Sequence, residues 1–328
     1  MAIGIVRLWK WLALLMSLCF TTVIVISVLA EQMHVEERAG PEQITFGPVG
    51  ETEPAISPDR RWIAYQYFTE RNPRLPAIGV LETLKGFQSA KALVDHDYAA
   101  EVSWSPDSEW LSFVSSENKG GRNTEQICKV NITTKEIVQL SAFAEGTLVG
   151  DSTAWSSKGI IAFERDGRIY GVSGQGGEVI ELLDTRRALS NRRPSSLRFS
   201  HDGKVLLFSV EGPAQNQSEI WAADLPSQSF RQLTKYHFDL FPSWYDEHRL
   251  VFSREAKNGT SSLYISDLRR GGVERVTFGH VDFGSSADAS SRTLFFSRKD
   301  RTSSENDKGA FFSGFHIWRM TIPSRLVR

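Results

Sequence analysis

The sequence predicts an all-β chain: a six-bladed β-propeller of four-stranded antiparallel blades, preceded by one N-terminal transmembrane helix or signal segment. Three observations carry this. One unit of four short apolar runs recurs about six times along the 328 residues. The first two runs of each copy meet at a tight turn rich in Ser, Pro, Asp and Gly. A single uncharged apolar run stands ahead of all the copies, at residues 11–30.

The fullest copy covers residues 198–234. Arg198, Phe199 and Ser200 lead into His201-Asp202-Gly203, where glycine tolerates positive φ and aspartate bonds its own backbone. Residues 204–209 follow, almost continuously apolar, as a strand covered on both faces reads. A polar loop at 211–218 leads to a third run, 219–224. A second turn at 225–229 leads to a fourth, from Phe230 to Thr234. That is a four-stranded meander.

Weaker copies anchor at Ser57, Ser105, Ser156, Tyr245 and Asp288, so the anchors are 43 to 51 residues apart. Four strands per unit at that period mark propeller blades. A third-strand position confirms the register. It holds Cys128, Tyr170, Trp221, Tyr264 and Trp318, each preceded by Ile or Leu. Large groups there fill the wedge between neighbouring blades.

These residues resemble the TolB-type propeller repeat, whose consensus runs roughly W-S-P-D-G-x-x-I-A-F, then I-Y-x-x-D, then R-L-T. The resemblance runs from about Gln43 to the end and implies the fold. The α/β domain that TolB places before its propeller has no counterpart expected here.

Net charge is −1 and no basic run occurs, so nothing points to nucleic acid. Of the two cysteines, Cys19 falls in the apolar run and Cys128 on a strand, so no disulfide and no Cys-x-x-Cys metal site is expected. Residues 1–10 carry Arg7 and Lys10. Residues 11–30, from Trp11 to Ala30, are 20 residues without a charge, long enough to cross a bilayer core. Glu31, Glu36 and Glu37 follow. The asymmetry places the start in the cytoplasm and the rest outside, periplasmic or extracellular. Uncleaved, the run is a single-pass anchor; cleaved near Ala30, it is a signal peptide and the chain is secreted. Residues 31–42 read as a polar linker and 43–328 as the propeller.

A propeller must close its ring or leave two bare edges. Residues 43–47, with Ile44-Thr45-Phe46-Gly47, match Val276-Thr277-Phe278-Gly279, which ends a fourth strand. The first strand in the chain is therefore expected on the outside of the last blade, whose other strands come from 287–290, 294–297 and 316–320. Arg325-Leu326-Val327 is the rival for that edge.

Strand order sorts the loops onto two faces. Tight turns lie on one. The long polar loops at 69–76, 115–125, 211–218 and 298–313 lie on the other with the blade-to-blade crossings, and variable insertions on one face often mark a binding side. Candidate binding residues fall on those crossings: Glu51, Asp97, Asp239, Asp282, His237 and His280. His237-Phe238-Asp239 and His280-Val281-Asp282 stand at one offset from their anchors. Converging in the central funnel, they would receive a partner; as repeated features they would instead bond blade to blade. No Gly-x-Ser-x-Gly elbow, His-Glu-x-x-His, phosphate loop or dinucleotide fingerprint occurs, and no cofactor is expected.

Two functions follow. The first is a non-catalytic scaffold outside the membrane that binds a protein or cell-envelope component on its loop-rich face. The second is a metal-assisted enzyme of lyase or hydrolase type, with His96, His237 and His280 as ligands in the funnel. The fold implies neither.

Overall fold

The computed structural model describes residues 40–47, 50–69, 72–94, 98–119, 122–150, 152–214, 216–235, 237–299 and 314–327. The expected membrane segment at 11–30 lies outside them. Among the described residues the chain is strands and turns, with one short 3-10 turn at Ser324–Leu326. None of their helices is long and apolar enough to cross a membrane.

The chain opens with β1 (Glu42–Gln43). A first sheet follows in sequence order: β2 (Gly50–Ile56), β3 (Trp62–Thr69), β4 (Asn72–Glu82) and β5 (Gly86–Val94). A second holds β6 (Tyr98–Trp104), β7 (Trp110–Lys119), β8 (Arg122–Asn131) and β9 (Ile137–Gln139). A third holds β10 (Thr153–Trp155), β11 (Ile160–Arg165), β12 (Arg168–Ser173) and β13 (Ile180–Asp184). Next come β14 (Pro194–Phe199), β15 (Val205–Glu211), β16 (Ser218–Asp224) and β17 (Ser229–Gln232). They share one eight-stranded sheet with β18 (Phe238–Trp244), β19 (Arg249–Glu255), β20 (Ser261–Asp267) and β21 (Val273–Arg275). In the last sheet β22 (Asp282–Asp288), β23 (Thr293–Lys299) and β24 (Phe315–Thr321) are joined by β1.

The expectation of six separate blades is corrected here: four sheets are separate and four-stranded, and the fifth has eight strands. The join is a single parallel pair, Ser218 with Phe238, made because the Ser218 N–H donates to the His237 carbonyl at 2.9 Å. The first strands touch in cyclic order, β2 to β6, β10, β14, β18, β22 and back to β2.

The repeated positions now have causes. Second strands carry a fully buried aromatic, Phe113, Phe163, Phe208, Phe252 and Phe296. Each pairs across the ladder with the expected wedge residue: Cys128, Tyr170, Trp221, Tyr264 and Trp318. In the first sheet the pair is Tyr65 with Gly79. There the tyrosine ring fills the slot, since a Cβ on Gly79 would stand 2.8 Å from Tyr65 Cζ. Burial, reinforced by the charge of Glu51, holds the Tyr65 phenol well above its ordinary pKa.

The recurrent threonine of the fourth strand has a fixed task. Thr234, Thr277 and Thr45 Oγ1 accept the backbone N–H of Ile220, Leu263 and Ile317 at 2.9, 2.9 and 2.8 Å. Ser141 does the same for Ile127. Each hydroxyl locks the outer edge of its sheet to the third strand. Thr45 shows that the N-terminal segment closes the last sheet, with Gln43 paired to Trp318 and the Ile44 N–H bonded to the Ile317 carbonyl. The C-terminal rival instead tucks Leu326 into the apolar cluster of Tyr245, Ile322 and Phe296. Of residues 287–290, expected as the first strand of that sheet, 287 and 288 are the end of the strand and 289 and 290 begin the turn after it. The strand is β22, and Asp288 caps the turn through the hydroxyls of Ser290 and Ser291.

Turns at Ser57, Ser105 and Ser200 repeat one device: the serine hydroxyl donates to an aspartate two residues on, and the same carboxylate takes a backbone N–H beyond it. Gly203 fills the left-handed slot at φ 67°, whereas Arg60 and Ser108 occupy it at φ 63° without glycine's freedom.

Cys128 sits in the wedge between the first two sheets, and burial pushes its thiol up to about 12. At pH 8 roughly one thiol in ten thousand is then ionised. In a Cys19→Ser chain, a thiol reagent is therefore expected to label Cys128 only after denaturant is added. Rapid labelling of the native chain would refute the packing of that wedge.

Candidate functional site

The fixed-offset residues do not gather around one point. Asp239 on β18 is fully buried, and both its oxygens accept from Arg254 on β19, at 2.6 Å from Nε and 2.8 Å from Nη2. Asp282 on β22 repeats this with Arg298 on β23, at 2.7 and 2.9 Å. These bidentate pairs match a planar fork to a carboxylate. They tie each first strand to its own second strand, since Asp239 and Asp282 stand directly opposite Arg254 and Arg298 in the ladders. Glu51 holds the equivalent place on β2, opposite Tyr67. Its carboxylate accepts from Thr45 Oγ1 at 3.1 Å and meets His316 Nδ1 at 2.7 Å, so it seals the closure seam.

The two histidines recur for a backbone reason. The His237 carbonyl accepts from the Ser218 N–H, and the His280 carbonyl from the Ser261 N–H at 3.1 Å. Each carbonyl starts a parallel bridge, Ser218 to Phe238 and Ser261 to Val281. The His237 ring is exposed and the His280 ring half-buried. Asp97 and His96 lie outside the described residues. Among the described residues no three of His, Cys, Asp and Glu could share a metal ion.

The arginines were missed by sequence reasoning, although a signal existed. Arg165, Arg254 and Arg298 each stand two residues after the central phenylalanine of a second strand. Each guanidinium lies over the neighbouring wedge aromatic, 4.4 Å from Tyr170, 4.8 Å from Tyr264 and 5.3 Å from Trp318.

Two open spaces flank this framework. On the tight-turn face a cavity of about 400 Å³ is lined by the ends of the first strands, among them Trp104, Arg198, Trp244 and Asp288. Above it the first strands bulge. Glu53, Glu101, Ser196, Phe241 and Gly284 all take positive φ where their ladders shift register. A bulge at one place in five units bends each first strand about the axis. Serines then clip neighbours together: Ser103 Oγ takes the Trp155 N–H, Ser152 Oγ that of Leu197, and Ser286 Oγ that of Ile56.

The second space is larger, about 1130 Å³, and opens on the loop-rich face. Its walls come from the loop before β16, the crossing into β18, the β19–β20 turn and the end of β21. His237 and Arg254 lie in it, so one predicted site residue and the partner of another meet there. Phe278 stands on its rim, 62% exposed, beneath the guanidinium of Arg275 at 4.7 Å.

Antiparallel four-stranded sheets arranged around an axis, with inner-strand bulges and threonine-locked outer edges, define a β-propeller. No family model matches the chain, and no curated protein matches it. Solved structures do. TolB from Acinetobacter baumannii aligns with a TM-score of 0.56 at 18% identity, over 72% of this chain and 58% of that one. The putative TolB from Agrobacterium tumefaciens gives 0.57 at 16%, over 85% and 93%. An oligogalacturonate lyase in complex with manganese gives 0.55 at 14%, over 87% and 81%. The chain has the TolB-type propeller fold, and at these identities the likeness is one of fold.

Proposed function

We propose that the chain is a membrane-anchored, extracytoplasmic six-bladed propeller that acts as a non-catalytic scaffold, binding a protein or envelope component on its loop-rich face. The observation that carries this is the 1130 Å³ cleft, which opens among the polar loops and crossings. Two further observations support it. The buried carboxylates of Asp239 and Asp282 are each already held by an arginine fork, which suits a rigid frame. The single parallel pair in the eight-stranded sheet lies between two antiparallel four-stranded halves, which supports reading those halves as two blades. Residues 11–30 supply the anchor, with Arg7 and Lys10 inside and Glu31 outside.

The test uses the full chain in its membrane. Protease added to spheroplasts is expected to digest the propeller; protection would refute the outward placement. A photo-crosslinking side chain at Asn258, on the β19–β20 turn, is expected to trap a partner, while one at Ala289 on the opposite face traps none. The reverse selectivity would move the binding face. A stoichiometric metal on the purified chain, lost in His237→Ala, would favour the metal-assisted alternative over the scaffold.

A further inference from the structure

We propose that the cleft on the loop-rich face binds a short acidic peptide segment of a partner, seating a carboxylate between Arg254, Arg275 and Lys257 and an apolar side chain on Phe278. This rests on the loop-face reading above and names the ligand class for that site.

Directed donors carry the argument. A guanidinium offers five N–H groups. Arg254 commits Nε and Nη2 to Asp239. Arg275 commits Nε to the Thr277 carbonyl and Nη2 to Ser262 Oγ. Nη1 of each arginine has no partner among the described residues, and both arginines line the cleft. The committed bonds and the stacking on Tyr264 and Phe278 hold both planes in place, so the free edges are presented in advance. Lys257 is exposed on the same wall and makes no side-chain bond to the described residues. Asp239 balances the charge of Arg254, and Glu255 also lines the cleft. Glu255 offsets one of the two remaining cations, Arg275 and Lys257, so the preference for an anion comes from one net positive charge and from the aimed N–H groups.

A peptide fits better than a small anion or a nucleic acid. The space is larger than an isolated carboxylate needs. The exposed Phe278 ring asks for an apolar neighbour beside the charge, and Gln217 on the wall can both donate to and accept from a main chain. A net charge of −1 with no basic run does not suit a polyanion track.

The experiment is fluorescence anisotropy on the full-length chain with a short fluorescein-labelled peptide of alternating glutamate and leucine. Saturable binding is expected, weakened by salt. Lys257→Gln with Arg275→Gln should weaken it by about tenfold or more. Arg275→Gln also gives up two structural bonds, so Lys257→Glu, on an exposed side chain, is the folding-neutral control and should weaken binding several-fold. A glutamine-for-glutamate peptide should bind poorly, as should a galacturonate oligomer of equal charge. No saturable binding, equal affinity in both variants, equal binding of the uncharged peptide, or tighter binding of the uronate would overturn the proposal. Crosslinking at Asn258 without peptide binding would remove the ligand class and leave the loop-face reading standing; loss of both would remove both.

Discussion

Asp282→Asn is expected to lower the stability of the propeller by about 3–5 kcal/mol, because it leaves a buried guanidinium without its counter-charge. The Asp282 side chain is 0% exposed and Arg298 6% exposed, so water cannot replace what the carboxylate supplied. Asparagine is nearly isosteric and keeps one acceptor, so the loss comes from charge and from the second hydrogen bond rather than from a cavity. Asp239→Asn should cost less, since the Arg254 side chain is 17% exposed and opens toward the loop-face cleft. Urea denaturation of both variants measures the ranking; the midpoint should shift at constant slope. Replacing Arg298 by Met together with Asp282→Asn should recover part of the loss, since the uncompensated charge is then gone. Unchanged midpoints for both single variants would mean that the pairs are not closed in solution, and the two aspartates would return as free binding groups.

Replacing residues 42–45 with four glycines is expected to cost roughly 4 kcal/mol, about twice the cost of truncation after Pro323. The first change removes the burial of Ile44, worth about 2 kcal/mol. It also removes the Thr45 hydroxyl, which accepts the Ile317 N–H and donates to Glu51. Each such bond contributes about 1 kcal/mol. Among the described residues Glu51 then keeps His316, and the glycine segment pairs only weakly with the outer edge of β24. Truncation removes the burial of Leu326 and leaves no strand edge exposed. Thermal melting of the two variants decides the matter. If the truncation is the more damaging, the ring is held by its C-terminus.

The same residues show how far sequence alone reaches. Strand identity, strand order, the wedge positions and the closing strand were all legible, because each depends on a local pattern repeated several times. A Ser-x-Asp turn, a central aromatic or a threonine after a branched apolar residue means the same thing in each copy that carries it. The seam at Thr45 was readable for that reason: it is the fourth-strand motif standing at the wrong end of the chain.

The site was less legible, and the reason is physical. His237 and Asp239 recur with His280 and Asp282 at one spacing, and that spacing suggested convergence on the axis. What recurs is a carbonyl at the histidine and a buried acid opposite an arginine fifteen or sixteen residues later. The recurrence is real, but it serves the backbone and the frame. Whether Asp239 faces an axis or an arginine depends on which strand lies beside it and on which side of the pleat its Cβ emerges, and that register exists only once β18 and β19 have paired. The cleft likewise gathers side chains from positions 216 to 279, contributed by two adjoining meanders. No local pattern marks it, because only the packing of one unit against the next brings those groups together. The repeat and its closure were therefore determined by sequence, through periodic local chemistry. The state of each buried charge, and the surface open to a partner, were decided by the tertiary structure, through long-range pairing that a one-dimensional spacing does not encode.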